Sequence, residues 1–135
     1  MSFKFGKKSL EYLKDIEPKM KQLCELALKE SKVDFSIIDG LRTAEQQNKL
    51  YKNGKSELDG YVTKSYHQTG MAVDVVPYVK GINCFDYSNK EALLNWYEVH
   101  RAFLRAGRIL RLNVELGLTY NIGGSYDYPH IQINE

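Results

Sequence analysis

The sequence predicts an α+β fold: one domain in which helices pack on a small antiparallel sheet. Three observations carry that prediction. Helices with clear apolar stripes come first and recur in one long run, strand candidates are concentrated late, and a length of 135 residues suits a single core. No repeat, low-complexity tract or Pro/Gly-rich linker divides the chain, so residues 1–135 are read as one domain.

Ser9 to Ile16 reads as a short helix with Leu10, Leu13 and Ile16 on one face. Pro18 suits the first turn of a second helix, whose stripe is Met20, Leu23, Leu26 and Ala27. Phe35 to Asp39 is a strand candidate. Thr43 and Gln46 form a capping box that opens a helix ending near Asn53-Gly54. Lys55 to Lys64 is polar, contains Asp59-Gly60 and reads as a loop. Met71 to Val76 gives the strongest strand signal. Ser88 with Glu91 reads as a second capping box, starting an amphipathic helix that runs to about Leu110 through Leu93, Trp96, Val99, Phe103 and Ala106. Two last strands are expected, from Val114 to Leu118 and from His130 to Ile133.

Composition excludes several function classes. Hydrophobic residues make up 43% and charged residues 27%, which is globular rather than disordered. A net charge of +2 is too small to imply nucleic-acid binding. Ten tyrosines raise the aromatic share to 12%, equally suited to stacking platforms and to a core. No apolar run is long enough to span a membrane, so no stable insertion is expected. The opening residues Met1 to Lys8 carry no apolar signal core, which predicts synthesis in the cytoplasm without an export signal. Cys24 and Cys84 match no metal or redox spacing; Cys24 is expected as a buried free thiol and Cys84 as a loop residue open to solvent.

The chemistry gathers in two segments. In the first, Ser65 to Val75, Ala72, Asp74 and Val76 share one strand face, while Met71, Val73 and Val75 share the other. A carboxylate in so apolar a strand needs a cation or donors. His67 precedes the strand, and Gly70 permits a sharp turn between them. In the second, Asp127 to Ile133, Pro129 marks the strand start, and His130 and Gln132 face one way. If the two strands are neighbours, His130 approaches Asp74 and His67 arrives from the loop. Two imidazoles and a carboxylate then make a three-ligand set for catalytic zinc, with the fourth position left to water and Asp127 beside it. Taken singly, each residue has an ordinary structural reading, and His100, in the middle of a helix among apolar residues, is not expected to be a ligand.

The pattern Ser65, His67, Gly70, Ala72, Asp74, followed downstream by Asp127-Tyr128-Pro129-His130, resembles the signature of the D-Ala-D-Ala-type zinc metallopeptidases. Their zinc site is also similar to those of the hedgehog signalling domain and lysostaphin-type endopeptidases. Within the group, the opening Met-Ser-Phe-Lys-Phe-Gly-Lys, the Gly40-Leu41-Arg42-Thr43 segment and the short length most resemble bacteriophage endolysins that act as L-alanyl-D-glutamate peptidases. The chain departs from many relatives in Asn121 to Tyr126, where they carry Trp or charged residues.

The resemblance implies Zn2+ held by His67, Asp74 and His130, with Asp127 as general base. It implies that Arg42 binds substrate and shares the charge on the polarised carbonyl, and that Gln47 and Ser65 lie on the substrate side. The implied substrate is the peptidoglycan stem peptide, cut at L-Ala-D-Glu by a monomer. The enzyme would wait in the host cytoplasm until a holin opens the membrane, then reach the periplasm and cell wall. Two other readings stay open: a zinc D,D- or L,D-carboxypeptidase or dipeptidase on stem peptides, and a non-catalytic zinc-containing cell-wall-binding module. Tyr66, Tyr126 and Tyr128 are expected near the cleft, either against the stem or filling the wall.

Overall fold

The computed structural model describes residues 3–119, 121–122 and 125–135. Helices α1 (Lys7–Lys14) and α2 (Pro18–Glu30) lead into β1 (Asp34–Asp39), α3 (Ala44–Lys52), a 3-10 turn (Tyr66–Thr69) and β2 (Ala72–Tyr78). The long α4 (Lys90–Leu110) follows, then β3 (Asn113–Leu116), a second 3-10 turn (Gly117–Thr119), a small ribbon of β4 (Asn121–Ile122) with β5 (Ser125–Tyr126), and β6 (His130–Asn134). The opening Met1-Ser2 and the Gly123-Gly124 pair of the departing loop lie outside the described residues.

The main sheet has the order β1-β2-β6-β3, and every neighbouring pair is antiparallel. The sequence-based α+β expectation therefore holds. Residues directly opposite one another share a face, so the register sorts the sheet into two surfaces. Ile37 lies opposite Val75, Val73 opposite Ile131, and Val114 opposite Ile133, and these turn towards the helices. With Leu23, Val99 and Phe103 of α2 and α4 they form one buried cluster. Phe35 joins it by ring contacts with Phe103 at 5.2 Å and Phe5 at 5.6 Å. The opposite surface carries Asp74, His130 and Gln132, polar residues that no apolar core could accept unpaired. Helix α1 also closes the free edge of β1, because Ser9 Oγ accepts the Ile37 N–H at 3.0 Å.

Several elements differ in detail from expectation. The helix expected from Ser9 begins at Lys7. Strand β2 continues past Val76 through Pro77, which is tolerated because β6 pairs only with Ala72 to Asp74 and leaves that end of β2 an edge. Strand β3 stops at Leu116, since Gly117 turns the chain into the 3-10 segment. The cap of α4 is Asn89, not Ser88. Asn89 Oδ1 accepts the Glu91 and Ala92 N–H groups, while the Ser88 hydroxyl donates to Asp86 at 2.6 Å. Cys84 is buried rather than open to solvent: its loop folds under Trp96, whose indole N–H donates to the Cys84 carbonyl. Burial raises the thiol pKa of both cysteines, and both are free.

His100 braces α4 against the turn before β6. Its Nε2–H donates to the Tyr128 carbonyl at 2.9 Å, and its buried Nδ1 has no hydrogen-bond partner among the described residues. A second proton would sit there without an acceptor, so burial holds the imidazole pKa below its ordinary 6.5. The unfolded chain takes up that proton near pH 6.5 while the fold resists it until lower pH, so stability is full above pH 6.5 and falls below it. We predict that His100→Gln flattens the fall in melting temperature between about pH 6.5 and 5. At its steepest, His100 contributes about 1.4 kcal/mol per pH unit. Parallel melting curves of variant and wild type that remain parallel through this range would count against the assignment.

Candidate metal centre and active site

The sheet register assembles the centre. Asp39 of β1, Asp74 of β2 and His130 of β6 stand in one row across three strands, Asp39 paired with Asp74 and Asp74 with His130. A bulge between Ile37 and Asp39 brings Asp39 onto this face after Ile37 has faced the core. His67 enters from the 3-10 turn. Ser65 Oγ caps that turn by accepting the His67 N–H at 3.2 Å, and the Gln68 side chain accepts the Ser65 N–H at 2.9 Å. Gly70 ends the turn at φ +75°, where a Cβ would stand 2.9 Å from the Glu17 nitrogen, so both conformation and space require glycine. The segment Gly40 to Arg42 clamps the histidine twice: its ring meets the Gly40 carbonyl, and the Arg42 N–H donates to the His67 carbonyl at 2.9 Å.

Hydrogen-bond roles identify which nitrogen of each ring faces a cation. The His67 Nδ1 lies 2.8 Å from the Gly40 carbonyl oxygen, which only accepts, so Nδ1 carries the proton and Nε2 the lone pair. That Nε2 is 3.3 Å from Asp74 Oδ1. The His130 Nε2 lies 2.7 Å from Gln132 Oε1, and its Nδ1 is 3.5 Å from the same Asp74 Oδ1. Asp74 Oδ1 is buried and has no hydrogen-bond partner among the described residues. Two imidazole nitrogens converging on an orphaned carboxylate oxygen need a positive charge between them. The three ligand atoms lie within 4.8 Å of one another, which suits a metal ion. Without one, the same spot attracts protons. Burial opposes charge at both Asp74 and His130, yet their mutual attraction prevails, lowering the pKa of Asp74 and raising that of His130.

The second Asp74 oxygen faces Arg42, whose Nη2 lies 3.8 Å away. Arg42 is itself held by Asp39 at 2.5 Å and by Gln47 Oε1 at 2.6 Å. Gln47 is fully buried, and its Nε2 donates to Ser56 Oγ and the Leu58 carbonyl. Asp127, Arg42, Ser65, His67, Asp74 and His130 line one cleft of about 650 Å³, together with Tyr66, Lys55 and Lys64. Burial and the nearby Asp74 charge raise the Asp127 pKa, partly offset by His130, His67 and Arg42. A carboxylate held in this way accepts a proton more readily than a solvated one. His100 lies outside the group of His67, Asp74 and His130. Tyr128 packs into an aromatic stack with Tyr87, centroids 4.6 Å apart, and with Trp96 and His100, which gives it a wall-building role.

Three positions escaped the sequence reading. Asp39 is aimed by a bulge that has no sequence signature, and the Gln132 amide is oriented by Glu115 on another strand. The third is Gly117: a Cβ there would fall 2.0 Å from the Asp127 carbonyl oxygen and 2.8 Å from His130 Cβ. Gly117→Ala therefore must displace the turn that carries both residues. We predict a loss of cleavage of about 10²-fold, the cost of misplacing a reacting group by about 1 Å. Cleavage assays on folded variant protein check this, and unchanged rates contradict the packing argument.

Comparison with known proteins agrees with this geometry. The chain is 37% identical over 126 residues to the L-alanyl-D-glutamate peptidase of Escherichia phage T5, covering 93% of this chain and 88% of that one. It is 28% identical to the peptidoglycan L-alanyl-D-glutamate endopeptidase CwlK of Bacillus subtilis, over 88% of this chain and 74% of that protein. Among solved structures it matches the Serratia marcescens L-Ala D-Glu endopeptidase ChiX with a TM-score of 0.78 and 29% identity, covering 97% of this chain and 90% of that one. Residues 1–133 match the family described as phage L-alanyl-D-glutamate peptidase, and with the metal-ready row of Asp74 and His130 beside His67 in place, the chain belongs to that family.

Proposed function

We propose that the chain is a zinc-dependent endopeptidase that cuts the L-Ala-D-Glu bond of the peptidoglycan stem peptide during phage-induced lysis. The observation that carries this reading is the buried, unpartnered Asp74 Oδ1 facing two imidazole nitrogens in the same cleft as Asp127. His67 Nε2, Asp74 Oδ1 and His130 Nδ1 would hold Zn2+. When bound, zinc supplies Lewis acidity, which acidifies water towards neutral pH and polarises a carbonyl.

The rest of the chemistry belongs to the chain's own groups. The Asp127 carboxylate takes a proton from the attacking water and returns it to the leaving amine nitrogen. The Arg42 guanidinium, held in place by Asp39 and Gln47, shares the charge developing on the scissile carbonyl oxygen. Gln47, buried away from the cleft, reaches substrate through Arg42, and Ser65 shapes the wall by fixing His67. Lys55 and Lys64 at the rim suit a stem peptide rich in carboxylates. All these groups come from one chain, so a monomer suffices for the reaction, and residues 1–135 work as one peptidase domain. Its phage family fits an enzyme kept in the host cytoplasm until a holin opens the way to the cell wall. Among the described residues no helix is long and apolar enough to cross a membrane.

Asp127 in the cleft favours a hydrolase over a purely structural zinc module, which needs no base. Mass spectrometry of digested peptidoglycan tests the bond. Fragments with a new D-Glu amino terminus support the endopeptidase, whereas release of terminal D-Ala alone would replace it with a carboxypeptidase.

A further inference from the structure

Next to the row of Asp39, Asp74 and His130 lies a second row, Ala72, Gln132 and Glu115, carried by β2, β6 and β3. Gln132 is buried, and its amide orientation is fixed by its neighbours. Its Nε2 donates to Glu115 Oε2 at 3.1 Å and to Asn134 Oδ1 at 2.7 Å. A carboxylate can only accept, so the amide nitrogen must lie on that side and Oε1 must face His130. Oε1 then requires a proton on His130 Nε2, 2.7 Å away. The lone pair is thereby placed on Nδ1, the nitrogen that faces Asp74. Ala72, opposite Gln132 on the other side, leaves the amide space to adopt this pose.

We propose that Gln132 is a positioning residue for the metal centre: its amide, set by Glu115, locks His130 into the tautomer that presents Nδ1 to the ion. The inference rests on the metal-centre reading above. His67 receives the same service from the Gly40 backbone carbonyl, which no side-chain substitution removes, so the two histidines differ in how they can be disturbed. A ligand without its lock divides its population between tautomers and rotamers, only some of which bind.

The test measures zinc affinity by competition with a chromophoric chelator in wild type, Gln132→Met, and the exchange pair Gln132→Glu with Glu115→Gln. Met keeps bulk and removes the acceptor. The exchange pair restores an acceptor at His130 and a donor opposite it. Loss of affinity by about 10- to 100-fold is expected in Gln132→Met, with most of it recovered in the exchange pair. Nitrogen-15 spectra of the neutral His130 ring in metal-free wild type should show the proton on Nε2, a signature that a merely structural role would not set. Wild-type affinity in Gln132→Met overturns the proposal, as does a folded exchange pair that stays as weak as Gln132→Met. If Gln132→Met does not fold, the wild-type spectrum decides: a proton on Nδ1 overturns it. Wild type that binds no zinc refutes the metal centre and this inference together, whereas wild-type binding with an unaffected Gln132→Met refutes this inference alone.

Discussion

His67→Ala and His130→Ala each lose bound zinc and, with it, peptidoglycan cleavage. Either change leaves two ligand atoms of three, a single imidazole nitrogen facing Asp74 Oδ1, an oxygen that already has no hydrogen-bond partner among the described residues. Even outer-shell changes cost about 10- to 100-fold in metal affinity, so removal of a ligand atom must exceed that and take turnover to background. His67→Ala also strands the Gly40 carbonyl, a destabilisation of about 1–3 kcal/mol. Asp74→Asn is the better-tolerated companion, since it keeps the side chain's size while weakening the central ligand. Elemental analysis and lysis assays on folded protein read the outcome, and full lytic activity in any of the three variants contradicts the ligand set.

Asp127→Asn separates chemistry from binding. The amide keeps the shape and hydrogen-bonding capacity of the carboxyl but cannot take a proton from water. Zinc content should stay near that of the wild type while turnover falls by about 10² to 10⁴, the usual contribution of a positioned general base. Arg42 and the three ligands remain, so some activity persists. If metal disappears together with activity, Asp127 is a fourth ligand and the site is closed and structural. If both are retained, Asp127 only shapes the turn before Pro129.

The part of the site legible in the sequence is the part encoded by local periodicity. Alternation in Met71 to Val76 and in His130 to Ile133 fixes which side chains share a face, and one pairing of those strands then brings Asp74 opposite His130. Gly70 marks the turn that delivers His67, and the observed φ of +75° gives the reason. What the sequence hid depends on distant partners. Asp39 reaches the row through a bulge, the role of Gln132 is set by Glu115 on another strand, and Gly117 matters because the turn from Asp127 to His130 crowds it. The polar neighbours of Cys84 suggest exposure and give no hint that Trp96 closes over it. The α4 cap falls on Asn89 although Ser88 is an equally good capping residue, because the turn before the helix ties the Ser88 hydroxyl to Asp86.

Cleavage is expected to require one ion, held by His67, Asp74 and His130. The most direct test is a titration of metal-free protein with zinc, following stem-peptide hydrolysis at each addition. Metal-free protein should show no activity, with a linear rise that levels off at about one equivalent of zinc per chain. Full activity after exhaustive chelation, or a rise that continues well past one equivalent, would contradict it.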